Sequence, residues 1–493
     1  MKRTFSLLLA GLTLLPLTAC GGAKNENTEA QTTAVAVQTE TQPAETEPPR
    51  DTADLPAGLD LKGYTFKSYS RKVEFSNTSF ALFIPEEESG EILNDTVFQR
   101  NARVEELLNC EIVRDETVTG GQNSANKASV ALILAQEDFA DVLVDQTVGI
   151  APHIADGYYY NLAKVKNLNV KKSYWDHDFL NDMAIAGKSY MLTGDVLYND
   201  EDSLMMCMFN SGMSKDYQLP DLYSIAREGK WTLDVMEEQM AKVANDLNGD
   251  GVTMGNDDVV PFLYINNCFL EPFLAGAGTY VVEHDKDGMA VLGDTAKIFD
   301  VYDRITKLIN TKGYAQDWNT LQGSQIEAIQ SMFEHNRALF QNGAISMVRR
   351  FYRDFETDFG MLPIPKVTEE QQFYATALNT NLFEAIVIPV TKADTANTGY
   401  VLEALASESY DLTQVFYETC FQSKYTRDKE SYEMLNIARE HIFYDMAYYF
   451  DFAKIVTGMR KASMADQPIA SLWESYKSEM TAEIAKLNAY KDA

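Results

Sequence analysis

The sequence predicts an α/β protein whose globular part is divided in two. Three observations predict it. Short apolar runs alternate with segments of helical periodicity along most of the chain. A low-complexity stretch ends near residue 55, and roughly 430 residues follow without a second break, more than one hydrophobic core usually serves. The runs Ala140-Asp-Val-Leu-Val and Ala385-Ile-Val-Ile-Pro-Val read as buried strands, which implies largely parallel sheets.

Taken in order, Lys2 and Arg3 precede an apolar run from Phe5 to Leu17 that closes in Leu17-Thr18-Ala19-Cys20. This reads as a signal peptide over 1–19 with a lipobox, Cys20 supplying the thiol for lipid attachment. The run falls short of the roughly 20 residues that span a bilayer. The competing reading is an ordinary secretory signal that happens to end in Cys. Residues 20–55 are rich in Thr, Glu, Ala, Gln and Pro and read as a tether too polar to bury a core. Tyr64-Thr-Phe-Lys-Ser-Tyr alternates apolar and polar residues, as a strand does. Val97, Val104, Leu107 and Leu108 mark one face of a helix over 97–108, and 128–136 is helical before the strand at 140. Leu233, Met236, Met240, Val243 and Ala244 form a stripe behind the N-cap Thr232. Ser324 and Glu327 fit a capping box for a helix carrying Ile326, Ile329 and Phe333. From about Asp411 the chain is mostly helical.

The formal net charge is −31. So acidic a chain argues against nucleic acid and anionic lipid as partners and for a soluble protein outside an anionic cell wall. Beyond Cys20, the cysteines Cys110, Cys207, Cys268 and Cys420 are scattered without a CxxC spacing, which argues against a zinc cluster. Buried thiols are favoured over a disulfide.

One local motif carries explicit chemistry. In Asp246-Leu-Asn-Gly-Asp-Gly-Val-Thr-Met-Gly-Asn-Asp257, the residues Asp246, Asn248 and Asp250 stand at positions 1, 3 and 5 of a calcium loop. Gly251 makes the sharp turn at position 6, Val252 offers its carbonyl at position 7, and Asp257 stands at position 12 in place of the usual Glu. Calcium takes many hard oxygens around one point, and this spacing supplies them. A structural Ca2+ is therefore expected, with an Asp/Asn/Gly-rich surface turn as the alternative.

Catalytic constellations are not found. The sequence has no P-loop, Gly-x-Ser-x-Gly or His-Glu-x-x-His, and its five histidines are scattered. An acid pair for glycoside hydrolysis cannot be picked out among so many carboxylates. The aromatic content suits both cores and a sugar-stacking cleft. Trp231 and Trp473 read as structural. Trp175 and Trp318 stand in loop-like polar settings and are candidates for ligand contact.

Several segments together resemble the extracellular solute-binding proteins of ABC importers, family 1, the carbohydrate-type lipoproteins of Gram-positive bacteria. They are Asn94-Asp-Thr-Val-Phe-Gln-Arg-Asn-Ala-Arg-Val-Glu-Glu, Ala140-Asp-Val-Leu, Gly187-Lys-Ser-Tyr, Met208-Phe-Asn-Ser, Gly229-Lys-Trp-Thr-Leu-Asp with the Asp/Asn/Gly loop, Phe340-Gln-Asn-Gly-Ala-Ile-Ser-Met and Gly360-Met-Leu-Pro-Ile-Pro-Lys. Their order along residues 60–480 carries the resemblance. It implies a two-lobed, type II periplasmic-binding-protein-like fold, each lobe a sheet flanked by helices, joined by a hinge. By analogy lobe one holds 59–155 and 375–420, and lobe two holds 156–374 and 421–493. The resemblance further implies cleft contacts from Arg349, Arg350, Phe351 and Tyr352. The Trp common there in the family is missing, and two arginines suggest an anionic or uronic ligand. Asp145, Asn379 and Asn381 are further cleft candidates.

The function expected is delivery of an oligosaccharide or related solute to ABC permease subunits by a lipid-anchored monomer on the outer face of the cell membrane, without catalysis. Binding of a peptide or another polar solute, a surface-anchored glycan-degrading enzyme and a purely adhesive lipoprotein are the alternatives.

Overall fold

The computed structural model describes residues 50–71, 84–115, 117–118, 120–323, 325–352, 355–419 and 428–490. The signal segment, Cys20, most of the tether, Ser324 and Cys420 lie outside the described residues. Among the described residues, no helix is long and apolar enough to cross a membrane.

Two mixed sheets organise the chain. The first is built from β1 (Tyr64–Ser70), β2 (Cys110–Arg114), β3 (Val142–Gln146) and β11 (Glu384–Val387), in the order β11-β3-β1-β2. The second takes β4 (Met205–Asn210), β5 (Phe262–Tyr264), β8 (Ala315–Asp317), β9 (Phe340–Ala344) and β10 (Phe359–Leu362), in the order β10-β4-β9-β5-β8. A hairpin of β6 (Val282–His284) and β7 (Ala290–Leu292) stands apart. In each large sheet one strand opposes the rest: β11 runs antiparallel to β3, and β4 antiparallel to β9 and β10. The other pairs are parallel, whereas the two apolar runs expected in parallel sheets, at β3 and β11, pair antiparallel with each other.

Local sequence accounts for the elements. In β3 the residues Val-Leu-Val-Asp-Gln are all buried, so the strand reads as a continuous apolar run rather than an alternation. The helix Ile92–Leu108 starts where the Glu91 carboxylate accepts from the amides of Leu93 and Asn94. It ends at Asn109, whose φ of 49° is the left-handed conformation that Asn tolerates, and β2 begins at the next residue. Val97, Val104 and Leu108 face the core, whereas Leu107 is 52% exposed and falls off the predicted stripe. The helix Leu233–Val243 is capped by Thr232, whose hydroxyl accepts from Val235 N at 3.3 Å.

Two hydrophobic clusters follow the two sheets. One gathers Phe66, Val104, Ile112, Val142, Ile386 and Leu402 around the first sheet and the helix Ala396–Ser407. The larger one holds the second sheet and the C-terminal helices Ile455–Met464 and Ile469–Asn488. Trp231 and Trp473 are structural, as expected. Trp231 donates to Pro363 O at 2.9 Å beside Phe340, and Trp473 is buried against Phe299.

Residues 50–55 depart from the tether reading. The Asp51 carboxylate accepts from Ser173 N, Asp54 pairs with Lys172 at 2.8 Å, and Ala53 N donates to Ser407 Oγ. These polar contacts, with Leu55 packed against the first-sheet cluster, fasten the last residues of the low-complexity stretch. Cys110, Cys207 and Cys268 are free thiols, and Cys207 and Cys268 are buried.

Candidate functional site

In the first sheet, parallel β1 and β3 end at a shared edge. Arg71 follows β1 there, Asp145 and Gln146 close β3, and Glu384 opens β11 opposite Gln146. In the second sheet β5, β8 and β9 are parallel. Their carboxyl ends place Asp317 with Trp318, and the helix Ile345–Arg350 with Phe351, at one edge. Crevices beyond the carboxyl ends of such strands are where open α/β sheets bind ligands.

The helix Asn199–Ser203 touches both edges. Asn199 lies buried against Glu384 of the first sheet, and Asp202 forms a buried ion pair with Arg349 beyond the second, at 2.7 Å. Beside it runs the segment 376–383. Asn379 N donates to Ser203 O at 2.8 Å, Met205 N to Ala377 O at 3.2 Å, and Thr147 N to Phe383 O at 3.0 Å. Two connections between the sheets therefore run side by side and hold the two edges together.

Polar atoms at this junction are buried without partners to an unusual degree. Glu384 is 0% exposed, and neither carboxyl oxygen has a hydrogen-bond partner among the described residues. The side-chain oxygen and nitrogen of Asn199 face the Glu384 carboxyl without closing an aligned bond to it or to any other group. Ser346 Oγ, Asn342 Oδ1 and the Trp318 indole nitrogen are likewise buried and unpartnered. A buried polar group without a partner costs about 1–3 kcal/mol. A concentration of them marks a place that a ligand or water completes. Burial and the neighbouring Asp145 push the Glu384 carboxyl well above the usual carboxylate range, against the pull of Arg71 and Asn199.

The sequence candidates divide. Asp145 lies at the junction, but its oxygens accept from Asn126 N at 2.7 Å and Gln146 N at 2.9 Å, and burial raises its carboxyl despite those bonds and Arg71. Asn379 accepts from Asn381 N at 3.0 Å and reaches Cys268 Sγ at 3.6 Å. The Asn381 carbonyl accepts from Gln146 and from Gln122, so this residue serves the connection through its backbone. Trp318 sits half-buried in a short 3-10 turn after β8. Arg350 is half-buried and stacked on Phe351, 4.8 Å from the ring centroid, with no ion-pair or hydrogen-bond partner among the described residues. Burial and the adjacent Arg349 lower its guanidinium below the usual arginine range, opposed by Asp202.

Two candidates are corrected. Trp175 is 2% exposed, packed edge-on to Tyr174, with its indole N–H on Glu403 at 3.2 Å. It is core, because the polar residues around it cover a folded-back loop rather than an opening. Tyr352 is 0% exposed among Phe333, Phe355 and Phe359, its hydroxyl bonded to Gln341. The paired-arginine argument for an anionic ligand is also weakened, since Arg349 is neutralised by Asp202.

Sequence reasoning missed Arg71, Asn199, Asp202, Ser346 and Glu384. For Glu384 a signal existed: a carboxylate in Phe383-Glu-Ala-Ile-Val-Ile, where a buried strand has no local use for one.

The loop after the helix Leu233–Val243 forms a second acidic site. Asp246 accepts from Gly249 N at 2.6 Å and Gly251 N at 2.7 Å, Asn248 from Asp250 N, and Asp250 from Val252 N. Gly249 and Gly251 take φ of 77° and 84°, which L side chains rarely adopt. The third carboxylate is Asp258 rather than the exposed Asp257. Asp258 is 0% exposed and takes the amides of Leu247, Asn248 and Met254. Asp246, Asp250 and Asp258 bring oxygens within 4.8 Å of one another. Two oxygens on opposite sides of one calcium ion, at 2.3–2.6 Å each, stand about that far apart, so these donors fit such an ion.

No family model matches the chain, and no curated protein matches it. Solved structures do. An ABC substrate-binding protein of Listeria monocytogenes in complex with cycloalternan superposes with a TM-score of 0.55 at 11% identity, over 86% of this chain and 99% of that one. The fold is that of the ABC substrate-binding proteins. UgpB of Mycobacterium tuberculosis in complex with glycerophosphocholine gives 0.56 at 12% identity over 86% and 99%. The binding protein of B. animalis subsp. lactis in complex with beta-1,6-galactobiose gives 0.53 at 11% identity over 87% and 99%.

Proposed function

We propose that this chain is the substrate-binding component of an ABC importer and takes an oligosaccharide or related solute between the two sheet edges. The observation that carries the reading is the junction itself: both edges meet at Asn199–Ser203, and unpartnered polar atoms concentrate there. The shared fold supports it, and the ligands of the similar structures set the chemical range. In this reading lobe one holds 59–198 with 384–420 and lobe two holds 206–375 with 421–493; the expected boundary at 155 moves to the connection at 199–205, because Leu162, Trp175 and Leu192 pack in the first sheet's cluster. The side-by-side connections act as the hinge, and the closed form docks on the permease. Trp318, Arg350 and Phe351 contact the ligand, with Asp145, Asn379 and Asn381 shaping the floor. The protein performs no catalysis. A lipid on Cys20 holds it as a monomer on the outer face of the membrane.

In the same reading Asp246, Asn248, Asp250, the Val252 carbonyl and Asp258 hold a Ca2+ that pins the loop, with Asp257 outside the set. The bound ion has no part in ligand chemistry.

Thermal unfolding of the purified protein against a panel of oligosaccharides, with peptides and glycerophosphocholine as controls, tests the reading. A ligand that binds only the folded state raises Tm by mass action. The expected result is a shift with one glycan class and no product formed. Shifts with peptides alone, or turnover of the glycan, contradict it.

A further inference from the structure

The charges at the junction are not balanced evenly. On the second-sheet side, Asp202 neutralises Arg349, and Arg350 has no ion-pair partner among the described residues. On the first-sheet side Asp145 and Glu384 are both buried, and among the described residues Arg71 is the cation that acts on both. Asn199, an uncharged group, also faces Glu384. Asp145 is already held by two backbone amides, whereas both oxygens of Glu384 and both polar atoms of Asn199 lack aligned partners. Burial and the neighbouring Asp145 raise the Glu384 carboxyl well above the usual carboxylate range, against the pull of Arg71 and Asn199, which favours its protonated form.

From this geometry we infer that Glu384 and Asn199 form a neutral donor–acceptor pair that reads neighbouring hydroxyls on an uncharged end of the ligand. The inference rests on the binding-protein reading above and names the chemistry of that site. A protonated carboxyl donates one hydrogen bond and accepts another, and an amide does the same. Together they match two adjacent hydroxyl groups. A ligand carboxylate at this end would meet Asp145 and a second acid across a desolvated gap, so the pair also rejects anionic sugars. The pair is buried as it stands, so it becomes accessible when the two edges separate. Completing its hydrogen bonds then favours closure over the ligand.

The test compares Glu384→Gln, Glu384→Ala and the unaltered protein by titration with the glycan that raises Tm most, and with its uronic acid counterpart. Gln keeps the shape, the donor and the acceptor. Glu384→Gln is expected to bind within a few-fold of the unaltered protein, and Glu384→Ala about tenfold or more weakly. The unaltered protein is expected to prefer the neutral glycan and to lose affinity as pH rises, a loss absent from Glu384→Gln. A readout without ligand accompanies it: the fall of Tm between pH 5 and 9 should be smaller in Glu384→Gln than in the unaltered protein. If Glu384→Gln is as weak as Glu384→Ala, if Glu384→Ala binds normally, or if the uronic acid binds better, the inference is overturned while the import reading stands. If the unaltered protein takes up no glycan, both fall.

Discussion

The loop at 246–258 and the junction between the sheets are both rich in carboxylates and use them in opposite ways. In the loop three acids are satisfied nearby: Asp246, Asp250 and Asp258 together accept six backbone amides, and the chain turns through three left-handed glycines to deliver them. At the junction Glu384 and Asn199 come from positions far apart in the chain, and neither is satisfied by the fold. The loop is a structure organised around its own backbone. The junction holds polar groups in reserve, as a site for something else must.

The contrast can be broken or sharpened by substitution. The largest effect is expected from Arg349→Ala, which leaves Asp202 buried and unpaired. Removing one partner of a buried ion pair costs about 3–5 kcal/mol, read as a shift of the denaturant midpoint. A change under 1 kcal/mol would show that the second-sheet edge is not held by this pair. Asp258→Ala strips the acceptor from three amides and should cost about 2–4 kcal/mol on the scale of 1–3 per buried unpaired group, softened by partial exposure. It should also abolish any rise of Tm with added calcium, whereas Asp257→Ala should stay within about 0.5 kcal/mol, as exposed changes do. Equal effects of the two would restore Asp257 to the metal set.

Stability should also depend on pH in a defined direction. Burial pushes the Asp195 carboxyl up to about 6 and Asp445 up to about 7, and raises Glu384 and the neighbouring pair Asp200 and Glu201. Each folded value lies above the unfolded one, so the folded state binds more protons. The stabilisation is complete below the unfolded value near 4 and is lost as pH rises through 6 to 7. Tm should therefore be higher at pH 5 than at pH 8, in the same direction as the repulsion expected of a chain of net charge −31. A higher Tm at pH 8 would mean that these carboxyls are paired or solvated.

How much of this was legible follows from the same contrast. Strands β1, β3 and β11, the Thr232 cap and the Asp/Asn/Gly loop are written in contiguous residues, so spacing alone located them. The loop cluster holds Asp258 where the 12-position template points to Asp257, because a template does not show which of two adjacent acids turns inward. The junction depends on crossovers that bring residues 71, 145, 199 and 384 together, and no local pattern reports that. Trp175 was misplaced for the reverse reason: its sequence neighbours are polar, but Glu403, distant in the chain, supplies the partner that lets the indole be buried.

The central claim is that ligand binds between the two sheet edges. Titration of the double variant Trp318→Ala with Arg350→Ala against the glycan that stabilises the unaltered protein tests it most directly, because neither side chain has a hydrogen-bonding partner among the described residues. The account predicts affinity at least tenfold weaker, with Tm in the absence of ligand lowered by only a few degrees. Undiminished affinity would place the ligand elsewhere and contradict it.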